Sequence, residues 1–304
     1  MEGTDKGDGM AKVSILIPAR AESEINLKRT VDSFIGNTQG DYEILIGFDG
    51  EPYYDFHYEN IKYIKFPSVV GIKTNINALA AMATGKYIYK SDAHCRVGFG
   101  FNEILQESME DDWIVMPRFK IIKEADWSIQ MRDGQEEFYD YFYLSCPFTD
   151  QRGFRFKAGG HWPERTAERL TTHPDVDETP QIHGSGWFMT KNRFFELGGF
   201  PNVDPYGHAQ EPIWLGLKNW LMGGKVMVNK KTRYAHLHQQ GNKRGYQMDK
   251  EQENRSYYLA ASHFVGDKGH YLHNFEWFVE KFYPMPTWPE DWRTLVKDWK
   301  GKNG

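Results

Sequence analysis

Asp92, Ala93 and His94 set a carboxylate and an imidazole one residue apart. From the end of a strand both can reach a single cation. A hard divalent ion such as Mn2+ or Mg2+ accepts carboxylate, imidazole and phosphate oxygens together. Such a cation would neutralise the negative charge that develops on a nucleoside diphosphate leaving group. A second pair, His236 and His238, brackets Leu237. On a strand Tyr234, His236 and His238 share one face, so either histidine could complete the set. Glu211 precedes a helical stretch, where a carboxylate serves the helix dipole, or contacts an acceptor hydroxyl and acts as its base. Asp49, ahead of Gly50, is a turn former or an acceptor of hydrogen bonds from a nucleobase or ribose.

These residues need strand ends to hold them. Val13 to Pro18 is a short apolar run rich in β-branched residues, and Tyr42 to Phe48 is a second; both read as buried strands. Ile61 to Phe66, Tyr87 to Tyr89 and Trp113 to Phe119 read as further strands. Glu24 to Asn37, Asn75 to Ala83 and Glu103 to Glu110 read as helices from their apolar spacing. Strands alternating with helices imply a mainly parallel sheet with helices on its faces. In such sheets ligands bind beyond the carboxyl ends of the strands, which is where Asp49 and Asp92 fall. Residues Ser145 to His183 read as a long loop, rich in Gly, Pro, Arg and Thr. Phe188 to Leu197 mixes strand and helix signals. Pro212 to Met222 reads as a helix stopped by Gly223 and Gly224, and Lys225 to His238 as a strand. Arg255 to Phe264 and the aromatic-rich stretch to Trp299 read as helices.

Composition bounds the function. The 304 residues carry 37 basic and 42 acidic side chains, a net charge of −5, which is not the footprint of bulk nucleic-acid binding. Two cysteines, Cys95 and Cys146, are too few for a disulfide framework and point to a reducing compartment. No apolar run is long enough to span a membrane, and Met1 to Met10 has no apolar core of a signal peptide. A soluble cytoplasmic protein with a loose tail over residues 1–10 is the expectation.

Several blocks resemble known enzymes. ILIPARAESEINLKRTVDSF resembles the first strand and helix of the GT-A glycosyltransferases, and GFDG their second strand's acidic end. GIKTNINALAAMATGKYIYKSDAHC resembles the run leading into the metal motif, which in the polypeptide N-acetylgalactosaminyltransferases is also Asp-x-His followed by Cys. HGSGWFMTKNRFFELGGF resembles the acceptor-side segment of these and of the inverting nucleotide-sugar transferases. The interval from Glu211 through Gly223 to the next histidine matches the polypeptide transferases at His236. The resemblance covers roughly residues 11 to 240.

The resemblance implies an α/β GT-A fold: a nucleotide-binding half at 11–120, an acceptor-binding half at 121–240 and a helical extension at 241–304. It implies a sugar transferred from a nucleoside diphosphate sugar, most simply a UDP-sugar, with Mn2+ or Mg2+ on Asp92, His94 and His236. It places the nucleotide against Pro18, Ala19, Arg20, Glu22, Asp49, Lys73, Asn77, Ser91, Asp92 and Ala93. Sugar and acceptor fall to Gly184, Ser185, Gly186, Trp187, Glu211, His238, Lys243 and Arg244, with Glu211 catalytic. Trp187 packs on the sugar or in the core. Arg152, Arg155, Lys157, Arg165 and Arg169 meet an anionic partner or stay solvated. Pro212 stands where those families carry Asp or Asn, so inversion and retention both remain open. The polypeptide transferases carry a membrane anchor and a lectin domain, neither of which is seen here, so a secretory mucin-type role is not expected. The acceptor is a glycan, a protein, a small molecule or a modified DNA base, since an extruded base can stack on rings. A non-catalytic sugar- or nucleotide-binding module is the rival reading, and a complete Asp92, His94 and His236 set argues against it. A nucleotidyltransferase would need a Gly-rich basic loop where PARAESE stands.

Overall fold

The computed structural model describes residues 12–202, 210–238, 245–246 and 249–303. The first half runs β1 (Val13–Ala19), α1 (Glu24–Asn37), β2 (Tyr42–Asp49), β3 (Ile61–Phe66), α2 (Ile72–Met82), β4 (Tyr87–Ser91), β5 (Cys95–Val97), α3 (Phe101–Glu107) and β6 (Trp113–Ile121). There follow β7 (Met131–Arg132), β8 (Gln135–Glu136), β9 (Phe142–Leu144), β10 (Ala158–His161), α4 (Pro163–Thr172), β11 (Val176–Glu178), β12 (Gly186–Thr190) and α5 (Lys191–Glu196). A π-helical segment, Pro212–Leu217, runs into α6 (Lys218–Leu221). Then come β13 (Lys225–His236), α7 (Lys250–Phe264), α8 (Phe275–Phe282) and α9 (Trp292–Asn303).

The main sheet has the order β11-β13-β6-β12-β4-β1-β2-β3, with β5 paired to β13. β3, β2, β1 and β4 are mutually parallel; β1, β2 and β4 are buried apolar runs, and β3, half-exposed, closes the edge. β12 then enters antiparallel between β4 and β6, and β13 lies parallel to β6. This mixed, helix-flanked sheet is the arrangement that the resemblance to GT-A enzymes implies. One face packs on α1 through Leu27, Val31 and Phe34, a stripe at helical spacing; Ser23 caps the helix by accepting from the Asn26 amide. The other face shares a single buried cluster with the C-terminal helices, including Trp214, Phe264, Phe278 and Trp292.

The stretch from 145 to 183 is not the loop its sequence suggests. It contains β10, α4 and β11. Pro163 in the first turn of α4 and Glu164 behind it favour the helix start, but the strands have no apolar run of their own. They exist because β11 pairs with β13 and β10 with β9.

Glu43 on β2 shows how the early strands are clipped together. It is 2% exposed. Its carboxylate accepts hydrogen bonds from Ser14 Oγ at 2.7 Å, the Thr84 amide and hydroxyl at 2.7 Å, and Lys62 Nζ at 2.8 Å. Burial works against the charge, but Lys62, Thr84 and Ser14 outweigh it and hold the carboxyl at about 2, from an ordinary 4.5. A folded-state value below the unfolded one stabilises above the unfolded pKa, and the gain is lost as pH falls through the folded one. Glu43→Gln is therefore expected to cost about 3 kcal/mol at neutral pH in urea unfolding. The gap from wild type should close as pH falls from 4.5 toward about 2.

Candidate active site at the strand ends

A cavity of about 670 Å3 opens beyond the carboxyl ends of β1, β2 and β4. Three separate pieces of chain meet in it. β4 ends at Ser91 and delivers Asp92, whose amide donates to the Ser185 carbonyl at 3.0 Å. β5 returns at once and pairs antiparallel with β13, setting His236 opposite Cys95. The Leu237 amide donates to the His94 carbonyl at 3.0 Å, which fixes His236 beside His94. One ligand atom from each of Asp92, His94 and His236 lies within 4.8 Å of the others.

Each of the three is prepared differently. His94 Nδ1 lies 2.6 Å from Glu22 Oε2, which orients the ring and leaves Nε2 for the cluster. Glu22 is itself held by the Asn26 side chain at 3.0 Å and the Ser23 amide at 3.1 Å. His236 is 8% exposed, and its Nδ1 has no hydrogen-bond partner. Burial pushes it down to about 3, so it stands as a neutral imidazole with Nε2 3.2 Å from Asp92 Oδ2. Asp92 stays well below the usual carboxylate range: enclosure works against the charge, but Lys90 and then His236 outweigh it. Imidazole nitrogens beside a carboxylate suit a divalent cation of the Mn2+ or Mg2+ class. The convergence of two imidazoles and a carboxylate within 4.8 Å is the observation that such an ion would explain.

Lys90 carries no separate signal in the sequence beyond a charge inside an apolar strand. It is fully buried on β4. Its ammonium lies 2.5 Å from Asp92 Oδ1, 2.6 Å from the Gly184 carbonyl and 3.3 Å from Glu211 Oε1. Burial opposes its charge, yet Asp92 and Glu211 hold it above the ordinary lysine range. Glu211, 4% exposed, immediately precedes the π-helical segment, a distortion that recurs at functional sites. A Cβ on Gly184 would stand 3.2 Å from Glu211 Oε2, so the glycine lets the backbone lie against the carboxylate. His183, also missed from sequence, lines the cavity, bonds Ser185 Oγ at 2.6 Å and stacks on Phe119. Burial keeps it well below the usual imidazole range.

Of the other sequence candidates, Pro18, Ala19, Arg20, Glu22, Asp49, Ala93, Gly184, Ser185 and His238 line the cavity. Arg20 stacks its guanidinium 4.3 Å from the Tyr246 ring centre. Asp49 accepts from the Val70 amide at 2.6 Å and the Gly71 amide at 3.2 Å, so it braces the entry to α2 as well as facing the cavity.

Five candidates do not line it. Trp187 is completely buried and stacks on Phe194, because β12 is a central strand covered on both faces; it is a core residue and no platform for a sugar. Gly186 is covered by the Tyr234 ring, which a Cβ would meet at 2.7 Å. Ser91 is buried and donates to the Asp92 carbonyl at 2.9 Å. Asn77 clips the Phe200 backbone through both its amide atoms, at 2.9 and 3.0 Å. Lys73 is 1% exposed, with its ammonium over Trp214. In the basic stretch only Lys157 reaches the cavity. Arg152 pairs with Asp150, Arg165 lies over Tyr141 and Trp162, and Arg169 faces Asp177. Lys243 and Arg244, like the tail 1–10 and the turn 205–207, lie outside the described residues. The N-terminal end of α7 adds Asp249, Gln252 and Glu253 to the cavity wall, a contribution with no sequence signal.

Known proteins bear on this arrangement. A Drosophila melanogaster protein named as polypeptide N-acetylgalactosaminyltransferase 13 is 25% identical over 251 residues, covering 75% of this chain and 42% of its own length. Polypeptide N-acetylgalactosaminyltransferase 5 of Caenorhabditis elegans is 26% identical over 164 residues, 52% of this chain and 24% of its own. The chain thus spans less than half the length of these relatives. Among solved structures, GalNAc-T7 with UDP, GalNAc and Mn2+ superposes with a TM-score of 0.70 at 19% identity, over 92% of this chain and 59% of that one. Residues 14–168, half of the chain, match the profile of glycosyl transferase family 2, from the first strand through the Asp92-Ala93-His94 motif and into α4, and on that match the chain belongs to this family.

Proposed function

We propose that the protein transfers a sugar from a UDP-sugar to an acceptor hydroxyl, with a divalent cation, Mn2+ in preference to Mg2+, at Asp92, His94 and His236. The observation that carries the proposal is the convergence of these three side chains at the strand ends, where one ligand atom from each lies within 4.8 Å of the others. The Mn2+ and UDP of GalNAc-T7 support the same reading. When bound, the cation would neutralise charge developing on the departing diphosphate.

The chain's own groups do the rest. Glu22 holds the His94 ring in orientation. Arg20, Pro18 and Asp49 form the wall beyond β1 and β2 where a nucleoside would lie. Glu211 is the acceptor-side carboxylate and would take the hydrogen bond of the incoming hydroxyl. Among the described wall residues, Arg20 and Lys157 are outnumbered by Glu22, Asp49, Asp92, Glu211, Asp249 and Glu253. That balance favours an uncharged hydroxyl acceptor over a DNA strand, whose phosphates would need a basic rim. Both cysteines are free and buried, which supports a cytoplasmic setting, and among the described residues no helix is long and apolar enough to cross a membrane.

Calorimetric titration of UDP and GDP tests the reading, with and without Mn2+, on wild type and Asp92→Ala. UDP binding that requires Mn2+ and disappears in Asp92→Ala is the expected result. Wild-type protein that binds neither nucleotide under either condition would overturn it.

A further inference from the structure

Lys90 has three N–H donors and three oxygens around it, drawn from segments far apart in the chain. Asp92 is two residues away, Gly184 is 94 away and Glu211 is 121 away. The ammonium occupies Asp92 Oδ1; the other oxygen, Oδ2, faces His236. Its second partner is the backbone that lies against Glu211, and its third is Glu211 itself. Two carboxylates thus share one enclosed cation.

We propose that Lys90 is a positioning residue that couples the metal side of the site to the acceptor side. It fixes which oxygen of Asp92 is free for the metal, and it balances Glu211 so that both carboxylates can stand in one enclosed site. This assignment rests on the transferase reading above, in which Asp92 holds the cation and Glu211 faces the acceptor.

The consequence is opposite to that of simple loosening. Without Lys90, Asp92 and Glu211 would face each other uncompensated, and a divalent ion would relieve both. Lys90→Met is therefore expected to bind Mn2+ about tenfold more tightly than wild type in the absence of nucleotide, because the competing charge is gone. Mn2+ should also raise its unfolding temperature by more than it raises that of wild type. Sugar transfer should fall about a hundredfold, with the donor KM within about threefold, since Glu211 is no longer held for the acceptor. Adding Glu211→Gln to Lys90→Met should return Mn2+ affinity to the wild-type range.

A residue that only fills space would, when replaced, weaken Mn2+ binding together with stability. Mn2+ affinity in Lys90→Met that is equal to or weaker than wild type overturns the assignment. Should Lys90→Met not fold, Glu211→Gln alone decides. It frees Lys90 to act on Asp92 only, so a loss of about tenfold in Mn2+ affinity is expected, and an unchanged affinity overturns the proposal. A wild-type chain that binds no Mn2+ would instead remove the transferase reading and this inference with it.

Discussion

His236→Leu is expected to abolish Mn2+-dependent UDP binding while leaving the chain at least as stable as wild type. The argument starts from burial. The imidazole is 8% exposed and neutral, and its Nδ1 has no hydrogen-bond partner. A buried polar group left unsatisfied costs about 1–3 kcal/mol, and an apolar side chain of similar size removes that cost. Leucine should therefore raise the unfolding free energy by about 1 kcal/mol in the absence of metal. The same change deletes one of three converging donors, and nucleotide affinity in Mn2+ should fall by about two orders of magnitude or more. Denaturant unfolding and calorimetry on one preparation check both halves. A variant that loses stability and keeps metal-dependent binding would show His236 to be a packing residue.

Trp187→Ala is expected to cost about 3–5 kcal/mol of stability, the range for emptying a large aromatic site in a core. Trp187 is completely buried on β12, with β4 on one side, β6 on the other and Phe194 against its ring. The milder Trp187→Phe keeps an aromatic ring there and should leave UDP affinity and donor KM within about twofold, because the side chain does not line the cavity. Thermal unfolding of both variants, with donor kinetics on Trp187→Phe, makes the distinction. A raised donor KM in a normally stable Trp187→Phe would restore a sugar-facing role.

The two histidine motifs were unequally legible. Asp92 and His94 are neighbours in sequence and follow an apolar strand, so their convergence needs only local geometry. His236 and His238 share a strand face, and nothing local separates them. The pairing of β13 with β5 does, by setting His236 opposite Cys95 and leaving His238 beyond the strand end. Of the first 120 residues, β1, β2 and β4 were also readable, because parallel strands buried on both faces are continuous apolar runs, whereas the three-residue β5 was not. β10 and β11 were not, since strands of three or four residues have no periodicity to read and are made by their partners.

By itself the sequence determined the apolar runs, their turns and the side chains at their ends, because burial and spacing act over a few residues. Only the tertiary structure decided which of those side chains meet. It turned Trp187 inward, gave Asn77 to the Phe200 backbone, and gathered Asp92, Gly184 and Glu211 around Lys90. A lysine inside an apolar strand reads as a conflict until the oxygens that compensate it arrive from 94 and 121 residues away. Buried charge is tolerated only where such partners converge, and that convergence is a property of the fold.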